Sequence, residues 1–598
     1  MAGTVFADDT TPGRIGRTFR RARQPTAWST AALVLAALVS LPVLVVASRI
    51  FVDTEGVWEH IATTVLPDYI TNTLLLMVGV GTLAAACGVG AAWLVTMYRF
   101  PGVRIFEWAL LLPLAVPAYV LAYVYTELFE YAGPVQTLLR DLFGWGHGDY
   151  WFPRIRSLEG AVVVFALTLY PYVYMLARAA FMEQSICALE VSRTLGRGPW
   201  RSFRDVALPL ARPAIAAGTA LVLMETISDY GTVYHFGVPT FTTGIYRAWF
   251  GMGEPVVAAQ LAASMLVFVT VLVAAERFAR GRQRFHHTTR RYQPIRRRPL
   301  GPMGAAIAVA VCVLPVALGF ALPGAVLLQH AITQGDPHWG PRFFAYATNS
   351  FTLAAITALV AVAAAVVLAY AVRQNAGPLT RIAGRIAALG YAVPGSVIAV
   401  GVLIPFAGLD NAVDRFARDT FGISTGLVLT GTIAALVYAY LVRFLAVSVN
   451  TVEASLTKIS TTMDHAARTL GAGPRETLVR VHAPIMRGSL LTAGLLVFVD
   501  VMKELPATMI LRPFNFDTLA IRTYRLASDE RLAEASTSAL TIVLVGILPV
   551  ILLSLAIARS RPGSRPEAGR APSRIGSLLR GPGAMARTGA TPHATSAE

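Results

Sequence analysis

Charged residues are missing from long stretches of this chain, and that absence limits what it can fold into more than any motif does. A helix needs about 18–20 apolar residues to cross a ~30 Å hydrocarbon layer. Ten uncharged, largely apolar stretches reach that length: 27–48, 72–98, 108–126, 160–177, 255–275, 301–329, 343–372, 386–409, 420–442 and 535–558. Two more, 213–231 and 488–506, run twelve uncharged residues and then meet an acid, Glu225 in one and Asp500 in the other. A spanning helix tolerates such residues where they face the bundle interior or water. The stretches are continuous rather than alternating, which argues against strands. With 14% of 598 residues charged, against about 25% in a soluble domain, the expected fold is an all-α integral membrane protein of about 12 transmembrane helices. Disorder, collagen and a disulfide scaffold are excluded. Cys87, Cys187 and Cys312 stand apart and read as small buried apolar residues.

The net charge of +17 is a matter of placement. Arg14, Arg17, Arg20, Arg21 and Arg23 precede the first span, Arg99 and Arg104 follow the second, and Arg193, Arg197, Arg201 and Arg204 follow the fourth. Nine arginines lie between Arg277 and Arg298. These are alternate loops. The opposite loops hold Asp53, Glu55, Asp68, Glu127, Asp141, Asp336 and Asp410. The positive-inside rule puts both termini in the cytoplasm and supports counting both interrupted spans.

The chain also repeats itself. Thr71-Asn72-Thr73 recurs as Thr348-Asn349-Ser350, and Ala115-Val116-Pro117 as Ala392-Val393-Pro394, both at an offset of 277. Arg193-Thr-Leu-Gly196 recurs as Arg468-Thr-Leu-Gly471 at an offset of 275, each followed by x-Gly-Pro. The expected organisation is a cytoplasmic segment 1–26, a six-helix repeat 27–276, an arginine-rich linker 277–300, a second six-helix repeat 301–558 and a disordered cytoplasmic tail 559–598. Both repeats begin on one side, so they are parallel, and a solute pathway belongs at their interface. Linker arginines such as Arg290, Arg291, Arg296, Arg297 and Arg298 suit either anionic headgroups or a passive connection.

A long loop joins the fourth and fifth spans of each repeat. In the first copy, Glu190-Val-Ser-Arg-Thr-Leu-Gly196 is followed by nine residues and then Val206-Ala-Leu-Pro209. The sequence reads as a helix, a glycine break reinforced by Gly198-Pro199, a short helix and a proline that opens the next span. Leu195, Trp200, Phe203 and Val206 give it an apolar face suited to a partner's groove.

This loop resembles the signature loop of permease subunits of binding-protein-dependent ABC importers, Glu-Ala-Ala-x-x-x-Gly followed by nine residues and Ile-x-Leu-Pro. The first copy matches at Glu190, Gly196, Leu208 and Pro209. The second matches at Ala466, Ala467, Gly471 and Pro484, with His465 in the glutamate's place, Asp464 beside it, and Gly473 matching Gly198. The resemblance implies two fused permease domains of the type I importer fold. Each loop then docks as a coupling helix on an ABC ATPase subunit, of which two copies are implied. An extracytoplasmic solute-binding protein is the other partner, and the location is a bacterial inner membrane. The chain is not expected to be an enzyme or to bind a cofactor. Its two lysines, Lys458 and Lys503, follow Thr457 and Met502, so no Gly-Lys-Ser/Thr phosphate loop exists, and ATP is expected on a separate subunit.

Glu225 and Asp229 fall at the repeat positions of Asp500 and Glu504. Each pair is spaced i, i+4 on one helix face. A cation-attracting or gating pathway and a structural pairing, for instance of Lys503 with a neighbouring acid, are both open readings. Ser228-Asp-Tyr-Gly-Thr-Val233, 241–250 and Met502-Lys-Glu-Leu-Pro-Ala-Thr508 resemble the iron(III) branch of the family. Thiamine, polyamine, sulfate and phosphonate permeases share the loop. A gradient-driven secondary transporter is the alternative from another class, and it has no need of the paired loops. His235, His286, His287 and His330 lack ligand spacing, so no metal site is assigned.

Overall fold

A computed structural model describes residues 27–183, 198–280, 297–335, 339–374 and 377–559 of the protein, and these are helical almost throughout. Residues up to Ser554 form one compact unit, and a second begins at Leu555. The helices that matter here are α1 (Ala27–Ser48), α2 (Leu66–Met97), α3 (Val103–Ala109), α4 (Ala118–Phe129), α5 (Leu158–Glu183), α6 (Leu208–Ser228) and α7 (Pro255–Arg280). They continue as α8 (Pro302–Val316), α9 (Leu322–Thr333), α10 (Pro341–Gln374), α11 (Pro378–Ala387), α12 (Gly395–Phe421), α13 (Ile433–Leu456), α14 (Ala483–Met502) and α15 (Leu532–Arg559). Among the described residues eleven helices are long and apolar enough to cross a membrane, and a bent pair raises this to twelve. Both acid-interrupted stretches are helical, as α6 and α14.

The recurring motifs mark recurring geometry. The chain bends by 89° between Ala115 and Ala118, so the expected span 108–126 is broken. A proline disfavours helical backbone in the residue before it. Val116 is accordingly extended at φ −95°, ψ 117°, and Val393 before Pro394 at φ −84°, ψ 124°. The expected span 386–409 therefore holds the second break, with α12 starting only at Gly395. Asn72 donates its side-chain amide to the Pro239 carbonyl at 3.0 Å, and Asn349 does the same to Asp517 at 3.1 Å. Each bond ties the second span of a repeat to the loop before a short helix, Phe241–Tyr246 in one half and Leu519–Ser528 in the other.

The uncharged run 420–442 starts in the last residues of α12 and crosses a glycine-containing loop, and the helix it ends in is α13, which runs on through Arg443 to Leu456. The sequence run stopped at Arg443 because that residue is charged; in the fold it is buried.

The first helix of each repeat packs on the other repeat. α1 lies against α10, α11 and α12, while α8 lies against α2 and α3. Tyr438 donates to the Leu38 carbonyl and Tyr125 to the Leu318 carbonyl, at 2.6 and 2.7 Å. A two-residue strand, Tyr98–Arg99, pairs in parallel with Arg298–Pro299. Arg297 beside it contacts Glu107, which also receives Arg178 at 2.7 Å. The end of the linker is thus fastened to the first repeat; residues 281–296 lie outside the described residues.

Candidate functional site: an interfacial cavity and two loops

The two acid-bearing helices both end early. α6 stops at Ser228 and a short helix, Gly231–His235, follows; α14 stops at Met502 and Pro506–Leu511 follows. The second acid of each pair holds its break. Asp229 Oδ1 accepts from the Thr232 backbone N–H at 2.8 Å, and Glu504 Oε1 from Ala507 at 2.9 Å. These are the same offset within each repeat. A carboxylate here satisfies the free amides of the short helix.

All five expected pathway residues, Glu225, Asp229, Asp500, Lys503 and Glu504, line one cavity of about 100 Å³. Its lining comes from both repeats. Arg443, which the sequence reading missed, stands among them. Its guanidinium lies 3.3 Å from Glu504 Oε1, 3.1 Å from Ser228 Oγ and 3.9 Å from Glu225 Oε2. Tyr391 donates to Glu225 Oε1 at 2.6 Å, and Lys503 pairs with Asp500 at 2.9 Å. Arg443, Tyr391 and Glu225 therefore bridge the two repeats. Gly395 makes room for this: a Cβ there would collide with Arg443 and Glu504. Its repeat position holds Ala118, where no arginine has to fit. An arginine inside an otherwise apolar run was the available signal for Arg443.

A second cavity, of about 490 Å³, lies at the far end of α4, lined by Tyr123, Glu127, Glu130, Arg156, His235, His330 and Glu530 among others. His330 reaches Glu127 at 2.8 Å, and Arg156 reaches Glu130 at 2.6 Å and Glu530 at 3.3 Å. Among the described residues no three His, Cys, Asp or Glu side chains are arranged to hold a metal ion.

Of the loop residues, Glu190 and Gly196 lie outside the described residues. Gly198 precedes the short helix Pro199–Ser202, and Pro209 follows Leu208 at the start of α6. Trp200 is 69% exposed. The second loop is described in full. Its helix Thr461–Thr469 carries His465 and Ala466 outward and Ala467 inward. Gly471 follows at φ +83°, a conformation that favours glycine, and Gly473 and Pro474 open the short helix Pro474–Thr477, with Pro484 in the first turn of α14. Leu470 at the turn is 87% exposed. The buried acid of this loop is Asp464, not a residue at the position of Glu190. Arg373 at the end of α10 binds it at 2.9 Å, and His482 at 2.6 Å. Burial raises the Asp464 carboxyl, but Arg373 and His482 outweigh it, and the group sits below the ordinary carboxylate range.

Two repeats, a shared cavity of opposed charges and a bundle of spanning helices define a multi-pass membrane protein with a polar site between its halves. Residues 84–283 match the family described as the binding-protein-dependent transport system inner membrane component, and the chain belongs to that family. It is 28% identical over 546 residues to the Fe(3+)-transport system permease protein FbpB 2 of Haemophilus influenzae, covering 89% of this chain and 98% of that protein. It is 30% identical over 176 residues to the molybdenum transport system permease protein ModB of Escherichia coli, covering 29% of this chain and 74% of that protein. With the sulfate transport system permease protein CysT of Escherichia coli it shares 28% over 176 residues, 29% of this chain and 61% of that protein. The chain is thus the membrane permease of an ABC importer with the fused two-repeat, type I architecture. It is a transport component and not an enzyme: the ATPase is a separate subunit, and a solute-binding protein is the other partner of the family.

Proposed function

We propose that this permease carries ferric iron across the inner membrane. The observation that carries the reading is the charge of the interfacial cavity, where Glu225, Asp229, Asp500 and Glu504 face only Arg443 and Lys503. Four acids against two bases favour a cation and disfavour the oxyanions, sulfate, molybdate or phosphonate. The cavity of about 100 Å³ has room for an ion with bound water. The likeness to the Fe(3+) permease along 89% of the chain supports the same choice.

In this reading the loops around Glu190, Gly196, Gly198, Leu208 and Pro209, and around His465, Ala466, Ala467, Gly471, Gly473 and Pro484, each dock on one of two ATPase subunits. The exposed Trp200 and Leu470 supply the apolar contact. Both termini and the 277–300 linker face the cytoplasm with these loops, and the solute-binding protein delivers its load at the cavity of Glu127 and Glu130. ATP is used by the partner subunits, with no cofactor on this chain.

The test is uptake by the complete complex in proteoliposomes, supplied with its own binding protein. Radioactive ferric iron should accumulate with ATP and not without it. Accumulation of molybdate, sulfate, thiamine or spermidine in place of iron overturns the substrate, and unchanged uptake in the absence of the ATPase overturns the coupling role of the loops.

A further inference from the structure

We infer that Tyr119 is a direct ligand of the ferric ion in transit, in the interfacial cavity. The inference rests on the ferric reading above and names the atom that takes the ion.

Tyr119 sits in the first turn of α4, immediately after the break at Pro117, and lines the interfacial cavity. It is 3% exposed, and its hydroxyl has no hydrogen-bond partner. A buried phenol left without a partner is costly, so its place asks for a function. Asp229 of the first repeat and Glu504 of the second line the same cavity. Three oxygen donors from three separate elements therefore line one cavity where the repeats touch. Ferric iron is a hard, highly charged acceptor. Phenolate and carboxylate oxygens suit it better than the imidazole nitrogens of the second cavity.

The position is also tightly packed. A Cβ on Gly231 would lie 2.7 Å from Tyr119 Cβ and 2.9 Å from Leu505 Cδ2. One turn along α4, the Tyr123 ring lies 6.0 Å from that of Tyr119 and lines the larger cavity. Tyr119 and Tyr123 thus place one phenol of α4 in each cavity. Binding forms an Fe–O bond and breaks the phenol O–H bond. The proton passes to water in the cavity, and iron stays ferric. The two bases of the cavity are already paired, Lys503 with Asp500 and Arg443 with Glu504. Arrival of the ion would therefore compete with Arg443 for Glu504, which couples occupancy to the contact that bridges the repeats.

The experiment uses the purified complex with ferric nitrilotriacetate. A phenolate–iron(III) pair has a charge-transfer band in the visible, which carboxylates and imidazoles lack. The wild-type complex should show the band on loading. Tyr119→Phe should lose it, with uptake reduced at least about tenfold, the scale on which metal sites respond to a lost partner. Tyr170→Phe, which alters a tyrosine buried in the core of α5, should keep both. Phenylalanine preserves the packing against Gly231, and retained ATPase activity in Tyr119→Phe confirms a folded complex. Ferric uptake by the wild type without a band, or a band that survives in Tyr119→Phe, overturns the role of Tyr119 and leaves the ferric reading standing. A wild-type complex that transports another solute and neither binds nor carries iron overturns both.

Discussion

Arg443 is the residue whose removal should be felt most. Its guanidinium lies 3.3 Å from Glu504 and 3.9 Å from Glu225. At an effective dielectric of about 20, each of these attractions is about 4–5 kcal/mol before the cost of desolvation. The two acids are not equal. The Glu504 side chain is 3% exposed and that of Glu225 is 25% exposed, and Glu225 keeps its bond from Tyr391. Arg443→Met therefore leaves one carboxylate, Glu504, charged and almost dry. Breaking such a buried pair costs about 3–5 kcal/mol, whereas replacing both members is often close to neutral. Equilibrium unfolding of the purified protein in mixed micelles should show that loss for Arg443→Met. Part of it should return in Arg443→Met/Glu504→Gln, because glutamine is uncharged, although its one oxygen can accept from only one of the Ala507 and Thr508 amides that Glu504 serves. A single variant as stable as wild type, or a double variant no better than the single, would refute the assignment of Arg443 as the counter-ion of Glu504.

Three further outcomes are expected. Gly471→Val should insert normally yet hydrolyse ATP without uptake: no atom lies within 4 Å of an added Cβ, so the effect must come from forcing a β-branched residue to φ +83°, at about 1–3 kcal/mol. Asp464→Asn should loosen the second loop, read as faster amide exchange over 461–482. Because the folded Asp464 pKa is depressed, its stabilisation is present above the unfolded value of about 3.9 and fades as pH falls through the folded one; exchange in wild type should rise over that acid range and stay flat in the variant. Gly395→Ala should reduce uptake, measured in the same proteoliposomes, since an added Cβ meets Arg443 and Glu504.

The spans were legible because bilayer thickness sets a length that a run of uncharged residues meets or fails. The repeat was legible because identical dipeptides do the same local work in both halves, Val-Pro in breaking a helix and Thr-Asn in tying a loop. The breaks themselves were hidden, since an apolar run looks alike straight or bent. Arg443 was read as the end of a span because charge and burial conflict in a sequence and are reconciled only by partners from elsewhere in the chain. The exchange of α1 and α8 between repeats had no local signal: both are apolar, and nothing in their sequences selects the repeat they cover. Asp464 was passed over for its neighbour His465, and only the fold shows that Arg373, ninety-one residues earlier, turns toward it.

Fusion of the two repeats has a consequence for charge that two identical subunits would not reproduce. At the offset of 275, Arg443 and Lys503 correspond to Thr168 and Ser228, so both bases of the cavity come from the second repeat, while each repeat supplies two acids. A pair of second repeats would surround the cavity with four acids and four bases, a neutral lining. A pair of first repeats would leave four acids with no base, and the cost of holding four like charges in a partly dry site would fall on the fold. The fused chain has four acids and two bases, a formal excess of two negative charges. That is enough to attract a multivalent cation, and the arginine still bridges the halves when the cavity is vacant. The same asymmetry places Gly395 opposite Ala118, so the space for the arginine is made only in the repeat that carries it. One chain with two unlike halves can hold this intermediate charge, and the unlike residues are the ones that set it.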